Sequence, residues 1–483
     1  MISLDQTGQR FLRMQPRAAV PYRTVDLFAG GGGASLGFKQ ALGVSPLFAL
    51  NHDEVAIRMH EANHPETEHA ISDVFEVDPR GESLGYLSDL DALWASPDCR
   101  HFSKAKGARP VSARVRGLAW SAVTWAKAHR PRIVFLENVE EFQSWGPIHR
   151  DPAHPEYLRP VKARKGETFR KFVAKLEALG YVVEWRVLNA ADYGTPTARR
   201  RLFLIARRDG KPIVWPQPTH GEGLQPYRTA AECIDWSEPA PSIFTRTRPL
   251  ADKTLARIAH GIVRYIVNDD NPYLAPIVGA AVAPFFVPRY GERPTQAPRS
   301  RRVTRPMPTV VGTGNGASLV TAMLSKHYGG VVGTRLDEPL GTISGRDSQG
   351  VTAANLSGQL QPDARTDRVA AFLLKYYGGS LGKRKGADQT QKLGGPLHTI
   401  TTKGRFSLVT VRVRGEQFAI VDVGMRMLQP NELAAAQGFP PEYQLVGTKT
   451  EQIAKIGNSV PPPVVRALVE SNVYDGRTTL AAA

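Results

Sequence analysis

Between residues 24 and 207, apolar runs of strand length alternate with amphipathic runs of helix length, and this alternation restricts the chain to an open α/β sheet wound on both faces. The first unit sets the pattern. Thr24-Val25-Asp26-Leu27-Phe28 reads as a buried strand, Ala29-Gly30-Gly31-Gly32-Gly33 as a turn and residues 34–42 as a helix. Four successive glycines at that junction admit a ligand against the backbone at a helix N-terminus. Nucleotides, dinucleotides and S-adenosylmethionine all use such loops, and so does a plain tight turn, so the run alone selects none of them. In a second unit, Pro46-Leu47-Phe48-Ala49-Leu50 precedes a helix over 54–63 and presents Asn51, His52 and Asp53 at the strand end, about 20 residues past the glycines, where a ribose-binding side chain is expected. Ile71-Ser72-Asp73-Val74 brings a further acid to a strand end.

The next strand, Ala92-Leu93-Trp94-Ala95, runs out into Ser96-Pro97-Asp98-Cys99-Arg100-His101-Phe102-Ser103. A lone cysteine there reads either as a small hydrophobe or as a nucleophile. The cationic Arg100, His101, Lys104 and Lys106 favour the nucleophile, because positive charge lowers a thiol pKa from about 8.5 toward neutrality. Residues 100–116 are too polar for a core and read as a lid-like basic segment. A helix over 116–129 and the apolar run Arg132-Ile133-Val134-Phe135-Leu136 then deliver Glu137-Asn138-Val139 to the same sheet edge as Cys99. Phe169, Phe172, Val173, Leu176 and Leu179 mark an amphipathic helix ended by Gly180, and strands over 181–188 and 202–206 flank Thr197-Ala198-Arg199-Arg200-Arg201.

Charge narrows the partners. A formal +17 over 483 residues draws the protein to polyanions, and no apolar run reaches the roughly 18 residues of a membrane span, which leaves nucleic acid as the expected partner. The N-terminus has no signal-peptide layout, and two cysteines build neither a disulfide framework nor a four-ligand zinc site. A reducing, cytoplasmic setting is expected.

After about residue 210 the texture becomes rich in proline and glycine, and a repeat emerges. Phe285-Phe286-Val287-Pro288-Arg289-Tyr290-Gly291, Met323-Leu324-Ser325-Lys326-His327-Tyr328-Gly329 and Phe372-Leu373-Leu374-Lys375-Tyr376-Tyr377-Gly378 resemble one another. Each precedes a second element, at 305–310, 338–343 and 395–400, so the segment reads as β-rich units whose arginines and tyrosines suit phosphate contact and base stacking. Helical texture returns from Met425, with Gln437-Gly438-Phe439-Pro440 and Gly457-Asn458-Ser459-Val460-Pro461-Pro462 before a last helix near 464–470.

Taken in order, Asp26-Leu27-Phe28-Ala29-Gly30, Cys99-Arg100-His101-Phe102-Ser103, Glu137-Asn138-Val139, Arg199-x-Arg201 and the two closing stretches resemble the DNA cytosine-5 methyltransferase family over about 24–207 and 425–468. The resemblance implies a doubly wound, Rossmann-like S-adenosylmethionine-dependent methyltransferase sheet with an inserted β-rich target-recognition domain. On this reading residues 1–210 are catalytic, 211–424 recognise the target and 425–475 return to complete the catalytic domain. It implies catalytic roles for Cys99, Glu137, Arg199 and Arg201, and cofactor contacts from Asp26, Phe28, Ala29, Gly30, Gly31, Gly32, His52, Asp53, Asp73, Pro97, Asn458, Ser459 and Val460, with no metal. Its substrate would be double-stranded DNA in a prokaryotic or phage setting, acted on by a monomer; a restriction endonuclease partner is not visible in the sequence. The chain departs from the family pattern at Asp98, Arg100, Thr197 and the His52–Asp53 pair. An RNA cytosine methyltransferase and a catalytically silent DNA-binding relative are the competing readings, and a nicotinamide oxidoreductase accounts for neither Cys99 with Glu137 nor the charge.

Overall fold

A computed structural model describes residues 2–4, 10–12, 20–99, 101–102, 112–269, 271–277, 281–288, 299–310, 317–326, 369, 372–373, 410–413 and 416–476. They form two compact units: Met1–Arg228 with Pro306–Gly314 and Pro430–Ala483, and Thr229–Arg305 with Asn315–Gln429. These borders lie beyond the expected ones at 210 and 424, and they assign the stretch after Arg305 to the first unit.

The first unit opens with β1 (Ile2–Leu4) and β2 (Arg10–Leu12), then β3 (Thr24–Leu27), α1 (Gly33–Leu42), β4 (Phe48–Asn51), α2 (Glu54–Asn63), β5 (Glu68–Ile71) and β6 (Ala92–Ala95). It continues with α3 (Ala113–Gly117), α4 (Trp120–His129), β7 (Ile133–Asn138), the small hairpin β8 (Ile148–Arg150) and β9 (Leu158–Pro160), α5 (Glu167–Glu177), β10 (Val182–Asn189) and β11 (Arg200–Arg207). Nine strands make one sheet in the order β1-β2-β5-β4-β3-β6-β7-β11-β10. The central five are parallel, while β11 runs antiparallel to β7 and β10 antiparallel to β11. β6 and the Ile133–Leu136 part of β7 are continuously apolar because both faces are covered, whereas β3 and β5 carry the polar Asp26 and His69 within them. Val25, Leu27, Leu93, Val134 and Leu136 face Trp125 of α4 and Phe172 of α5, whereas Trp94, Phe135 and Phe203 face Phe38 of α1. Upstream of β3, β2 pairs antiparallel with β5 and covers what would be an open parallel edge.

The second unit contains α6 (Asp252–Ile262) and an antiparallel sheet ordered β13-β12-β14-β16-β15, comprising β12 (Ala281–Pro288), β13 (Arg301–Arg302), β14 (Ala317–Lys326), β15 (Thr410–Val413) and β16 (Glu416–Met427). Ile258 and Ile262 of α6 pack with Phe285, Val287, Val320 and Val423. The repeat does not fold as like units. Its first and second copies fall on β12 and β14, but Phe372 and Leu373 of the third are helical and buried. Position in the tertiary core overrides local similarity there. The second elements at 338–343 and 395–400 lie outside the described residues.

The chain then returns to the first unit through α7 (Pro430–Ala436), α8 (Lys449–Asn458) and α9 (Pro462–Asn472). A Thr448–Glu451 capping box starts α8, and Pro462 occupies the first turn of α9. Val464, Val465 and Leu468 of α9 lie in the same cluster as Phe38 and Trp94. The glycine run owes its composition to this return. A Cβ on Gly31 would sit 2.6 Å from Ser459 Oγ and 3.0 Å from the Lys455 carbonyl oxygen; one on Gly32 would strike the Tyr443 hydroxyl, and one on Gly33 the Val460 carbonyl. Gly30 alone of the four keeps ordinary clearance, 3.6 Å from Phe28 O. The closing segment therefore occupies the Cβ side of Gly31, Gly32 and Gly33.

Beneath this loop lies a polar chain that links four elements, β3, α1, α2 and β5. Ser35, in the first turn of α1, donates its hydroxyl proton to Asp26 Oδ2 at 2.7 Å and lies 2.8 Å from His60 Nε2, whose Nδ1 is 2.8 Å from His69 Nε2. With the Ser35 proton committed, His60 Nε2 must donate to Ser35 Oγ, and its Nδ1 must accept from His69. All four residues are buried. Burial pushes the Asp26 carboxyl up to about 7 against the pull of its bonds to Ser35, and it holds His60 well below the usual imidazole range. Among the described residues no helix is long and apolar enough to cross a membrane.

Two outcomes follow. Gly33→Ala should lower unfolding stability by about 1–3 kcal/mol, the usual cost of overpacking, because the blocking atom is main chain and cannot rotate away; urea titration measures it. For Asp26 the folded-state pKa is raised, so its contribution to stability is present below the ordinary carboxylate range and is lost as pH rises toward about 7. Asp26→Asn should remove that slope, at most roughly 1.4 kcal/mol per pH unit, and leave stability flatter between pH 4 and 7 in urea titrations at each pH; an unchanged slope would refute the assignment.

Candidate active site

Strand order reverses between β3 and β6, and in an open α/β sheet the crevice at the carboxyl ends flanking such a point is where ligands bind. Five strand ends meet at this edge. Leu27 is in register with Ala95, and Ala95 with Leu136, so Phe28, Ser96 and Glu137 emerge side by side. Main-chain bonds stitch the exits together: Ala29 N–H to Leu50 O at 3.1 Å, Ser96 N–H to Leu27 O at 3.3 Å, and Ser72 N–H to Asn51 O at 3.1 Å. Phe28 takes φ 65°, a costly left-handed conformation for an aromatic residue and one found at functional turns.

Cys99 is carried past the end of β6 and held from both sides. Asn138 Nδ2 donates to the Pro97 carbonyl at 3.0 Å, and Phe102 N–H donates to the Cys99 carbonyl at 2.9 Å. The Phe102 ring is anchored 5.1 Å from Phe142 and lies under the Arg116 guanidinium at 4.6 Å. Arg116 also donates to the His101 carbonyl at 3.3 Å, and His101 Nδ1 accepts from Ser112 N–H at 3.0 Å. Asn138 and Arg116 were not singled out from sequence, although their positions beside Glu137 and within the basic segment were visible. Arg100, Lys104 and Lys106 lie outside the described residues.

Glu137 and Arg201 share a sheet face because Glu137 pairs with Phe203 and Arg201 stands two residues earlier on β11. Their Oε1 and Nε atoms lie 3.3 Å apart, though misaligned for a hydrogen bond. Burial raises the Glu137 carboxyl, and Arg201 and then Arg199 pull it back. The Cys99 thiol is also raised, first by burial and then by Glu137, while Arg201 and Arg199 oppose the shift and Asp98 adds to it. The thiol is thus raised rather than lowered as expected, because desolvation outweighs charge, and among the described residues the relieving cations are Arg201 of β11 and Arg199 just before it. Arg199 is itself buried and held below the usual guanidinium range by that burial. Its Nη1 donates to the carbonyls of Val310 at 3.1 Å and Gly457 at 3.0 Å.

The expected cofactor residues divide by accessibility. Phe28, Gly30, Asp53 and Asp73 are partly exposed, and His52 and Asn458 are exposed; Asp26, Ala29, Gly31, Gly32, Pro97, Ser459 and Val460 are buried. Several of the buried set are fixed by packing. Ser459 Oγ donates to Lys455 O at 2.8 Å, and Tyr443 donates to Gly31 O at 2.8 Å. Asp53 caps α2 by accepting from Ala56 N–H at 3.0 Å and pairs with Lys455, so both of its oxygens are engaged within the chain. Asp73 accepts from Phe75 N–H at 3.0 Å and from Arg114 at 2.7 Å, and His52 is close enough to lower both Asp53 and Asp73. An aromatic ring at Phe28, an open glycine at Gly30, and the polar Asn51, His52 and Asp73 fit an adenosine bearing a cationic sulfonium. Among the described residues no His, Cys, Asp or Glu group is arranged to hold a metal ion.

The profile for C-5 cytosine-specific DNA methylase matches residues 22–150, 158–248 and 353–473. Type II methyltransferase M.AgeI of Thalassovita gelatinovora is 26% identical over 93% of this chain and 98% of its own. Type II methyltransferase M.NgoBI of Neisseria gonorrhoeae is 28% identical over 49% of this chain and 65% of its own, and DNA (cytosine-5)-methyltransferase 1 of Rattus norvegicus is 24% identical over 94% of this chain and 28% of its own. With that profile spanning most of its length and the strand-end groups gathered as described, the chain belongs to the C-5 cytosine-specific DNA methylase family.

Proposed function

We propose that this protein transfers a methyl group from S-adenosylmethionine to carbon 5 of cytosine in double-stranded DNA, through a covalent bond between Cys99 and a base turned out of the duplex. The observation that carries the reading is the delivery of Cys99 and Glu137 by adjacent parallel strands to one edge, with Arg201 3.3 Å from the carboxylate. Carbon 5 of cytosine is too weak a nucleophile to attack a methyl sulfonium, so the ring needs activation by addition at carbon 6. The Cys99 thiolate forms that bond. Glu137, whose burial favours the protonated acid, gives its proton to ring nitrogen 3 and so accepts the charge that addition pushes into the ring. Bound S-adenosylmethionine supplies the electrophilic methyl group. After carbon 5 has taken it, a base removes the carbon-5 proton, nitrogen 3 returns its proton to Glu137 and the thiolate leaves. Arg201 holds the Glu137 side of the base.

The target atoms are buried in a duplex, which requires extrusion of the nucleotide. The basic segment after Cys99 is the element suited to the displaced strand, and the +17 charge supports a polyanionic substrate. Residues 211–424 would supply target recognition and 425–475 would complete the cofactor side. A monomeric, cytoplasmic enzyme, nucleoid-associated and acting alongside a restriction endonuclease, is part of the same reading.

Duplex DNA carrying 5-fluorocytosine should trap the wild type covalently at Cys99, whereas Cys99→Ser should bind cofactor and DNA yet form no adduct, because an alcohol has almost no oxyanion at neutral pH. An adduct at Cys233, or none in the wild type, would sink the mechanism; transfer of labelled methyl to RNA but not DNA would select the RNA reading. The thiol environment gives a second outcome. Glu137→Gln should lower the pH at which Cys99 reacts with iodoacetamide, and Arg201→Met should raise it, each by about one unit. Coincident profiles for all three proteins would show that these charges do not act on the thiol.

A further inference from the structure

The two arginines of the 199–201 pair are not equivalent. Arg201 lies beside Glu137, whereas the Arg199 guanidinium points into the protein and bridges two main-chain carbonyls that are far apart in sequence. One belongs to Val310, in a stretch zipped alongside residues 196–198: Met307 N–H donates to Pro196 O at 2.8 Å, Ala198 N–H to Met307 O at 2.9 Å, and Thr309 Oγ1 to Ala198 O at 3.2 Å. The other belongs to Gly457, in the last helical turn of α8, beside the Lys455, Ser459 and Val460 atoms that crowd Gly31 and Gly33. We propose that Arg199 is a positioning residue which ties the 306–310 stretch and the Gly457 turn to the Cys99–Glu137 edge, and that the cofactor loop depends on it before DNA binds.

Both bridging bonds come from Nη1, which is therefore committed to the fold, and moving it toward a base or phosphate would leave two acceptors without their donor. Its Nε is buried with no hydrogen-bond partner, so the side chain is retained by the bridge and by its charge, which also acts on Cys99 and Glu137. One residue thus serves the shape of the cofactor side and the electrostatics of the nucleophile. The inference rests on the methyltransferase reading above.

The test uses the full chain without DNA, S-adenosylhomocysteine as the probe, and Arg199→Met beside Arg199→Lys. Arg199→Met should weaken S-adenosylhomocysteine binding by about tenfold, as expected from loss of charge-assisted bonds, and should move Cys99 alkylation to higher pH. Arg199→Lys keeps the charge and a donor, so it should restore the alkylation profile and part of the affinity even if the methionine variant folds poorly. If Arg199→Met binds S-adenosylhomocysteine like the wild type and loses affinity only for DNA, the residue is a substrate clamp and the proposal is wrong. Loss of affinity with an unshifted alkylation profile in both variants would also overturn it, reducing Arg199 to a packing role. A wild type that fails to bind S-adenosylhomocysteine would instead remove the methyltransferase reading beneath it.

Discussion

The first unit depends on one approach of main chain to main chain: the Val460 carbonyl occupies the place where any side chain on Gly33 would have to go. Around it, Ser459 presses on Gly31, Tyr443 on Gly32 and Val465 on Gly37, so residues 31–37 and 443–465 form one packed surface. Protein interiors are dense and take up little strain, and an interlock made with backbone atoms has no rotamer by which to relax. The consequence is topological. The loop after β3 reaches its shape only when the last fifty or so residues have come back, and Phe28 at φ 65° is held between a buried strand and that closed loop.

The strand-end edge that holds Cys99 and Glu137 is built differently, from groups whose charge burial disfavours. Cys99 and Glu137 are both driven toward their protonated forms by desolvation, and Glu137 makes ionisation of Cys99 harder still. Arg201 and Arg199 moderate this, yet Arg199 is strained by the same burial.

Much of this was legible in the sequence because parallel strands covered on both faces are continuous apolar runs. The runs at 24–28, 92–95 and 132–136 were read as strands, and Cys99 and Glu137 were placed at their ends. What was missed required tertiary meetings. His60, His69 and Ser35 look like scattered polar residues until α1, α2 and β5 pack together. α8 carries few apolar residues, and its Thr448–Glu451 capping box was the available signal. The 305–310 stretch resembled a repeat, but its hydrogen bonds to 196–198 come from local edge pairing that no internal periodicity encodes. The resemblance implies cofactor contacts from Gly30, Gly31 and Gly32, and sequence does not show that a segment over 400 residues away also packs against the run.

Asp26 and Glu137 are instructive as a pair. Burial raises both carboxyls, and they lie on strands separated only by β6. Asp26 sits inside β3, accepts from Ser35 and is sealed beneath the loop, so its perturbation can affect stability and the stiffness of that turn but has no reacting atom to act on. Glu137 is displaced to the strand end, where an arginine lies beside it and a cysteine faces it. A raised carboxyl pKa is therefore no sign of chemistry by itself. It becomes one when the sheet carries the group to an edge that a substrate can reach and sets a nucleophile across from it.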